Sequence, residues 1–450
     1  MQLSLFVAED NIKANSIQNK GLPLEAVFEA YHRCRRNKRK TNKAIAFELD
    51  FENQLIQLWK ELNEGTYQPS GATCFMVHKP VQREIFAAAF RDRVVHHLVI
   101  YELEPYLNRK FIRDSYACRL GKGTHYGIRR VNQFIRKCSV NYTQDAYILK
   151  LDIEGFFMHI HREILFKRLE KFMAQDYQGN HKKLMLEICH KIICSTPTQN
   201  CTIQGHTSNW KGLPKSKSLF WSPPNCGLPI GNLTSQVFAN LYMNDFDHFI
   251  KKTRGIRYYG RYVDDFVIVH HSKSYLKQLV PILSEYLLRE LKLTLHPKKK
   301  YLQHYAKGVQ FLGTFIKPSR TYIGNRTKGN FYKAMQEYNQ IVTLRPPTKD
   351  EKQAFLSRMN AYLGLMKHYK TYKLRKKMLL QYLNSYWWNH VYLSKNMSKF
   401  VLKTHKAGKK NAHLPLLSVK KVEGVLTLLL VKIKSNLSHK AQVAVNYSTR

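Results

Sequence analysis

The segment of residues 256–270, IRYYGRYVDDFVIVH, places two acidic side chains between two apolar runs. Both runs are rich in β-branched and aromatic residues, and they are joined at Val263-Asp264-Asp265, the pattern of a tight β-hairpin. Carboxylates between apolar strands are unfavourable unless a partner holds them. The chain is therefore expected to pair these strands and to present Asp264 and Asp265 at their joined ends.

A third carboxylate, Asp152, ends the apolar strand ILKLD within residues 145–157. Three carboxylates brought together repel one another and raise their own pKa values unless hard divalent cations occupy the site, and Mg²⁺ is the natural occupant. Two such ions can activate a 3′-hydroxyl and neutralise a leaving pyrophosphate. The alternative is that Asp264 and Asp265 merely form a turn, since a Tyr-x-Asp-Asp string arises by chance in such a chain at odds of roughly a few per cent.

The net charge of +43 indicates a polyanionic partner. Lys and Arg number 74 against 31 Asp and Glu, and they are spread along the chain. This distribution favours an extended groove for nucleic acid over a membrane-anchoring patch. Hydrophobic residues make up 44% of the chain, which is enough for folded domains.

The sequence predicts a cytoplasmic protein without a membrane span. The first ten residues carry no basic segment, and the late apolar run 425–431 is far too short to cross a bilayer. The eight cysteines form no CxxC pair, and we expect them to be reduced thiols. A zinc site is an alternative, because Cys189, His190, Cys194 and Cys201 are clustered in sequence. Their spacing fits none of the usual ligand patterns, however.

Hydrophobic periodicity predicts a mixed succession of helices and strands. Helices are expected over 22–36, 43–63, 91–103, 181–193, 233–250 and 273–291, strands over 74–79, 145–157 and 309–316, a glycine-rich turn at 121–127, and irregular chain from the helix at 181–193 to 226. From about residue 330 onward the chain has 23 basic residues and only four acidic ones, which indicates a separate basic helical module.

Six motifs in this order resemble the successive conserved blocks of reverse transcriptases over about residues 75–320. They are RDRVVHH (91–97), LDIEGFF (151–157), GLPIGNLTSQ (227–236), YVDD (262–265), LHPKK (295–299) and FLG (311–313). The resemblance implies an α+β right-hand polymerase: an N-terminal helical extension (1–69), fingers and palm (70–320), and a basic helical thumb with a tail (321–450).

The resemblance assigns the catalytic centre. Asp152, Asp264 and Asp265 would be the catalytic, metal-binding acids, with the backbone of Ile153 as a further metal ligand, and the cofactor would be two Mg²⁺ ions, with Mn²⁺ as the alternative. Lys299 would be a general acid for pyrophosphate, with Lys298 and Lys300 as alternatives.

The resemblance also assigns substrate contacts. Phe157 would be the steric gate that rejects a 2′-hydroxyl, the alternative being a core aromatic, because Phe156 is adjacent and only one of two neighbouring strand residues can face the site. The expected nucleotide contacts are Lys79, Arg83, Phe157, Ile230 and Gly231, and the expected primer or template contacts are Arg91, Arg93, Gln236, Tyr262, Leu312 and Gly313. Any of the four basic residues in these sets could instead make a structural contact.

The string IGNLTSQ (230–236) differs from the Gln-Gly form of retroviral and intron-encoded enzymes and resembles the reverse transcriptases of diversity-generating retroelements. KSLF (217–220) and MNAYLGLMKHYKTYKLR (359–375) strengthen this resemblance. It implies error-prone copying of a template-repeat RNA, with errors at adenines. The expected partners are that RNA, the RNA–cDNA heteroduplex, deoxynucleotides and a small basic accessory protein.

Two alternatives remain open. One keeps the chemistry and makes the chain a retron, group II intron-like or phage-defence reverse transcriptase. The other is a non-catalytic RNA-binding scaffold, against which the three intact acids argue. Aromatic residues interleaved with basic ones suit a thumb that tracks a heteroduplex, although about half of them are expected in a helical core; they include Tyr362, His368, Tyr369, Tyr372, Tyr382, Trp387 and Trp388, and lysines from Lys403 onward would bind structured RNA.

Overall fold

Four strands rich in β-branched and aromatic residues form the central sheet of the protein. The computed structural model describes residues 21–36, 42–78 and 81–403. In this sheet, β5 (Tyr259–Tyr262), β6 (Asp265–His270), β3 (Tyr147–Asp152) and β7 (Tyr301–His304) lie side by side in that order, and every neighbouring pair is antiparallel. The predicted hairpin at 256–270 is confirmed, as is the strand that ends at Asp152.

Both faces of the central sheet are covered. Because side chains alternate along a strand, Leu149 and Phe266 enter one core, and Ile148 and Val267 enter another. The first core is filled by α4 (Phe90–Lys110), α7 (Arg162–Gln175), α9 (Leu233–Tyr242) and α11 (Lys273–Leu291), and the second is filled mainly by α5 (Thr124–Cys138). A strand buried on both faces reads as a continuous apolar run, as FVIV (266–269) does, whereas Lys150 interrupts the run ILKL (148–151).

A second sheet stands apart from the first. It contains β2 (Arg83–Ala88), β1 (Ala72–Val77) and β4 (Cys201–Ile203), with β2 antiparallel and β4 parallel to the central β1. The predicted strand at 74–79 corresponds to β1, whereas β2 and β4 are additional elements.

A third sheet corrects one prediction. Residues 309–316 are a hairpin of β8 (Val309–Phe311) and β9 (Thr314–Lys317), continued by β10 (Arg320–Ile323), and not a single strand. Leu312 and Gly313 have φ of 47° and 78°, so they form the two-residue turn that matches strand twist. Gly313 therefore supplies the positive φ that the turn itself requires.

The helices predicted at 22–36, 43–63, 181–193 and 233–250 are present, two of them with interruptions, whereas α5, α7 and the one-turn α6 (Phe156–His159) are not predicted, and α5 begins within the predicted turn at 121–127. The segment 43–63 divides into α2 (Asn42–Glu48) and α3 (Phe51–Asn63), and the segment 233–250 continues after α9 as α10 (Asn244–His248) and a wider turn at Phe249–Thr253. The other helices in the first half of the chain are α1 (Leu24–Arg35) and α8 (Lys182–Cys194).

The basic C-terminal region is mostly helical over its described residues, as predicted. α12 (Asn325–Leu344), α13 (Lys349–Met366) and α14 (Tyr372–Tyr382) pack through Phe331, Met335, Phe355 and Met359, among others. A smaller compact unit consists, in its described part, of residues 385–393 and 400–403; in it α15 (Ser385–His390) precedes the antiparallel pair β11 (Val391–Leu393) and β12 (Phe400–Leu402). The predicted RNA-binding lysines beyond Lys403 lie outside the described residues.

Two expectations about sites bear on the described chain. None of its helices is long and apolar enough to cross a membrane, and the apolar run 425–431 lies outside the described residues. Cys189 is fully buried in the main core, and no group of three His, Cys, Asp or Glu side chains in the described ranges is arranged to hold a metal ion. The zinc alternative therefore finds no support in the described structure.

A fully buried ion pair joins the central hairpin to the helix before it. Arg261 of β5 and Asp247 of α10 are 0% and 1% exposed, and the guanidinium donates from Nε and Nη2 to the two carboxylate oxygens at 2.8 and 2.6 Å. The Tyr259 hydroxyl donates to Asp247 at 2.5 Å. Charges removed from water this completely are tolerated only when all their hydrogen bonds are made.

We predict that Arg261→Met lowers the free energy of unfolding by about 3–5 kcal/mol, because it leaves the Asp247 carboxylate buried and unpaired. Equilibrium denaturation measures this loss. The matched control is Arg289→Met, whose pairs with Glu285 and Glu290 lie on the surface, and which is expected to cost less than about 1 kcal/mol. Equal losses in the two variants would contradict the assigned role of the buried pair.

Candidate active site

Strand register brings the three predicted acids to one end of the central sheet. Asp152, the last residue of β3, lies directly opposite Asp265, the first residue of β6. The Ile153 N–H donates to the Asp264 carbonyl oxygen at 3.2 Å, and the Asp152 carbonyl oxygen accepts from His296 N–H at 2.8 Å. Backbone hydrogen bonds thus fix Asp152 and Asp264 beside each other from two separate parts of the chain.

The turn that carries Asp264 is strained. Val263 has φ of 58°, a left-handed conformation that β-branched residues rarely adopt and that costs roughly 1–3 kcal/mol. Arg261 Nη1 donates to the Val263 carbonyl oxygen at 2.8 Å. The buried guanidinium that anchors the hairpin therefore also holds its turn.

Burial and mutual repulsion raise the pKa values of the two turn carboxylates. Burial first, and then the nearby Asp152, raise the pKa of Asp264 from 3.8 to about 6, although Lys299 and Arg83 oppose the rise. Burial likewise raises the pKa of Asp265 to about 7 against the effect of Lys150. The site is therefore short of positive charge in spite of the basic chain around it.

Two lysines partly neutralise the acids. Lys299 Nζ lies 2.8 Å from Asp152 Oδ1 and its side chain is half exposed, so among the three candidate lysines it is Lys299 that reaches the acids. Lys150 Nζ lies 3.2 Å from Asp265 Oδ2. Lys150 is not among the predicted site residues, yet its position two residues before Asp152 on the same strand places it on the same face.

The donor chemistry suits a hard divalent cation, although the three carboxylates do not form a closed ligand group in the described structure. The donor set consists of three carboxylates and neighbouring backbone carbonyls, the oxygen ligands that Mg²⁺ prefers. Asp265 Oδ1 is buried and accepts no hydrogen bond within the described chain, so it retains a free lone pair for a ligand. Lys150 and Lys299 hold the other sides of Asp265 and Asp152, and a bound ion would compete with them.

An apolar wall includes Phe157, five residues after Asp152. Phe157 and Ile230 are half buried, and both pack against the cluster of Cys74, Phe86 and Met158. The Leu228 N–H donates to the Phe157 carbonyl oxygen at 2.8 Å, and the Ile230 carbonyl oxygen accepts from Phe86 N–H at 2.8 Å. The structure thus joins two candidate nucleotide contacts that are 73 residues apart in sequence.

The two phenylalanines after Asp152 lie on a one-turn helix, α6, and not on a strand as predicted. Gly155 makes this change of direction, because its φ is 52° and a Cβ there would lie 2.6 Å from the His159 ring. Phe156 is 3% exposed and enters the main core, whereas Phe157 stays half buried. Only one of the pair is available to a substrate, although strand alternation is not the reason.

Gly231 allows the loop before α9 to approach β2. Its φ is 127°, and a Cβ would lie 2.9 Å from Ile85 Cγ2 and 3.1 Å from the Phe86 carbonyl oxygen. The steric need for glycine at this position is thus met within the protein itself, and contact of Gly231 with a nucleotide stays a prediction.

The four basic residues predicted to contact nucleotide, primer or template separate into two groups. Arg83 is exposed at the start of β2 and lies close enough to stabilise the Asp264 carboxylate, whereas Lys79 lies outside the described residues. Arg91 pairs with Glu61 of α3, and Arg93 donates to the Ala88 carbonyl oxygen at 2.8 Å. Arg91 and Arg93 thus have structural partners, and their contact with template stays a prediction.

The remaining predicted contacts surround the hairpin. Tyr262 ends β5 directly before the strained turn, and Gln236 is exposed on α9, where its side-chain oxygen accepts from Cys118 Sγ at 2.7 Å. Leu312 and Gly313 form the turn between β8 and β9, and Leu312 Cδ1 would lie 3.1 Å from a Cβ at Gly127 of α5. Their roles toward a primer stay predictions.

We predict that Asp264→Asn stabilises the metal-free protein at neutral pH by about 1–3 kcal/mol. The pKa of Asp264 is higher in the folded chain than in the unfolded chain, so its stability cost is absent below about pH 4, grows as pH rises toward 6, and is complete at pH 7. Denaturation in EDTA at pH 4 and pH 7 measures it. An Asn variant that is less stable at pH 7, or equally shifted at both pH values, would contradict the charge argument.

Comparison with known proteins agrees with this geometry. The family described as "Reverse transcriptase (RNA-dependent DNA polymerase)" matches residues 82–316, slightly more than half of the chain. Protein YkfC of Escherichia coli (strain K12) is 24% identical over 294 residues, covering 58% of this chain and 70% of YkfC.

Similar solved structures include two yeast telomerases. Apo telomerase from Candida tropicalis has a TM-score of 0.44 at 14% identity, covering 70% of this chain and 59% of that one. Telomerase from Candida albicans in complex with a fragment of telomeric RNA has a TM-score of 0.40 at 14% identity, covering 70% and 57%. The chain therefore spans less than two thirds of either telomerase.

The family match extends from β2 to β9 and thus contains the strand of Asp152, the hairpin of Asp264 and Asp265, and the loop of Ile230. The chain belongs to the reverse transcriptase family of RNA-dependent DNA polymerases.

Proposed function

We propose that this protein copies a template-repeat RNA into cDNA and that it does so with errors concentrated at adenines, for the diversification of a target gene. The observation that supports polymerisation most strongly is the convergence of Asp152, Asp264 and Asp265 at one end of the central sheet, with Phe157 of the apolar wall five residues after Asp152. Carboxylates for cations and an apolar wall for a nucleotide are the two halves of a polymerase site.

Two Mg²⁺ ions held by the three aspartates and the Ile153 carbonyl would activate the primer 3′-hydroxyl and neutralise the pyrophosphate. Lys299 is half exposed and 2.8 Å from Asp152, so its ammonium is placed to donate a proton to pyrophosphate. Arg83, exposed at the start of β2, supplies a guanidinium for the triphosphate oxygens. Lys150 lies on β3, which pairs with β6, and its ion pair with Asp265 holds that carboxylate in place.

Phe157 and Ile230 would set selectivity. The half-buried Phe157 ring closes the pocket where a 2′-hydroxyl would lie, and so favours deoxynucleotides. Ile230 offers an apolar surface beside the nascent pair, where a glutamine would offer an amide able to hydrogen-bond to it. Fewer fixed hydrogen bonds penalise a wrong pair less, which accounts for low fidelity in physical terms.

The partners follow from the proposed reaction: template RNA, RNA–cDNA heteroduplex, deoxynucleotides and a small basic accessory protein. The retron, group II intron-like and phage-defence enzymes share the same site, so the pattern of errors separates them from the proposal. A scaffold that only binds RNA would need none of the three carboxylates.

We predict that primer extension on an RNA template with deoxynucleotides and Mg²⁺ gives cDNA whose errors concentrate opposite adenines. Asp264→Asn should reduce the yield by about 10³-fold or more, because a metal ligand is lost. Sequencing of the cDNA provides both readouts. Accurate cDNA would contradict the diversification function alone, and no cDNA even with cognate RNA and accessory protein would contradict the polymerase.

We predict that Ile230→Gln lowers the error rate at adenines by about 2- to 10-fold, which is the discrimination of a hydrogen bond worth roughly 0.5–1.5 kcal/mol. The measurement is cDNA sequencing at equal yield. Ile203→Gln is the matched control, because Ile203 is 47% exposed on β4 and is not part of the wall. An unchanged adenine error rate in Ile230→Gln would refute this account of infidelity.

A further inference from the structure

Residues 204–226, here called the strap, cross the outside of the second sheet after β4. Within the strap are three short 3₁₀ turns, Thr207–Trp210, Lys215–Lys217 and Leu219–Trp221. The sequence predicts only irregular chain here. Its short turns lack the regular hydrogen bonds of helices or sheets, so side-chain contacts must hold it in place.

A single buried carboxylate fastens the strap to β2. Glu84 is 1% exposed and accepts hydrogen bonds from Trp210 Nε1 at 2.7 Å, Ser218 Oγ at 2.8 Å and Leu219 N–H at 2.6 Å. Gln82 adds a hydrogen bond from Nε2 to the Asn209 carbonyl oxygen at 2.9 Å. The strap is thus a fixed part of this face.

The strap also reaches the apolar wall that contains Phe157 and Ile230. Leu219 is 5% exposed and packs with Phe86 and Met158 in the cluster that contacts Phe157 and Ile230. The strap backbone lies so close to α6 that a Cβ on Gly155 would meet the Ser216 carbonyl oxygen at 2.7 Å. The strap therefore borders the apolar wall that contains Phe157 and Ile230.

The outer surface of the strap combines aromatic rings with lysines. Phe220 and Trp221 are 41% and 62% exposed, and Lys215 Nζ lies 4.1 Å from the centre of the Trp221 ring. Lys211 and Lys217 are exposed nearby in sequence. A single exposed aromatic residue is common on any protein, but two consecutive ones beside three lysines form a defined surface.

Acidic residues are excluded from this part of the chain. Residues 188–244 contain no Asp or Glu, and both oxygens of the Glu84 carboxylate already accept hydrogen bonds from the strap. The strap lysines thus have no carboxylate neighbour within the strap itself, and Glu163 reaches the strap at Asn225, near its end. Exposed rings with lysines are the combination that binds unpaired nucleic acid, because bases stack on the rings while phosphates contact the cations.

We propose that the strap binds single-stranded nucleic acid through Trp221, Phe220 and Lys215. Stacking needs unpaired bases, and in RNA-templated copying the unpaired strand next to the incoming nucleotide is the uncopied template. The strap therefore holds the RNA template ahead of the site. The identity of this strand rests on the proposed polymerase function, whereas stacking of unpaired bases on Trp221 does not.

The test measures binding and not synthesis. The full-length protein in EDTA, without nucleotides, is titrated by fluorescence anisotropy with a blunt RNA–DNA heteroduplex and with the same duplex carrying about six unpaired template nucleotides. The wild type should bind the overhang form more tightly. Trp221→Ala should weaken overhang binding by about 5- to 100-fold, the loss expected for about 1–3 kcal/mol of stacking, and leave blunt binding unchanged.

Two further variants sharpen the result. Trp221→Phe retains a ring and should keep the preference for the overhang to within about 2-fold. Tyr101→Ala is the matched control, because Tyr101 is 44% exposed beneath Arg33, whose Cζ lies 3.9 Å from the ring centre, on a different part of the protein. It should leave both affinities unchanged.

Three outcomes would overturn the strap assignment: a wild type indifferent to the overhang, a Trp221→Ala variant with an unchanged preference, or an equal loss on blunt duplex. Failure of the proposed function has a different signature. A chain that makes no cDNA, yet loses overhang binding on Trp221→Ala, would keep the strap as a single-strand site and remove its assignment to a polymerase template.

Discussion

The candidate site depends on one guanidinium that water does not reach. Arg261 pairs with Asp247, donates to the Val263 carbonyl oxygen, and lies on β5, whose main chain bonds the Asp114 carbonyl oxygen and the Tyr116 N–H. This side chain links helix, turn and neighbouring loop in one network of hydrogen bonds. Since side chains alternate along a strand, a slip of one residue would turn Asp265 to the other face. A buried pair that tolerates no alternative partner makes such a slip costly.

The site works against the stability of the fold that holds it. Asp264 and Asp265 have raised pKa values because they are buried next to other carboxylates, and Val263 adds a strained backbone. Lys150 and Lys299 recover part of this cost. A hard cation would relieve the remainder, since it supplies the positive charge that the acids lack. The stability cost predicted for the metal-free protein and the proposed affinity for metal would thus both follow from one arrangement of charges.

Sequence patterns predict the parts of this fold that local rules govern. The hairpin at 256–270, the strand before Asp152 and the helix at 273–291 follow from alternation and periodicity, and the structure confirms them. The break at Leu312-Gly313 requires positive φ at a leucine, which no pattern indicates. The Glu84 contacts join residues more than 120 positions apart, so only the tertiary structure reveals them. Lys150 is the exception, because its spacing from Asp152 already places it on the same face of the strand as Asp152.

The distribution of acids explains how so basic a chain can fold and still bind a polyanion. Carboxylates used inside the protein, such as Asp247 and Glu84, lie buried against internal donors. Residues 188–244, which reach from the core across the strap to the apolar wall, carry none. The strap lysines are therefore unpaired by neighbours in sequence, while the three aspartates lie together at one end of the central sheet. This separation of the two charges along the chain is what the proposed binding of metal and of nucleic acid at neighbouring places would require.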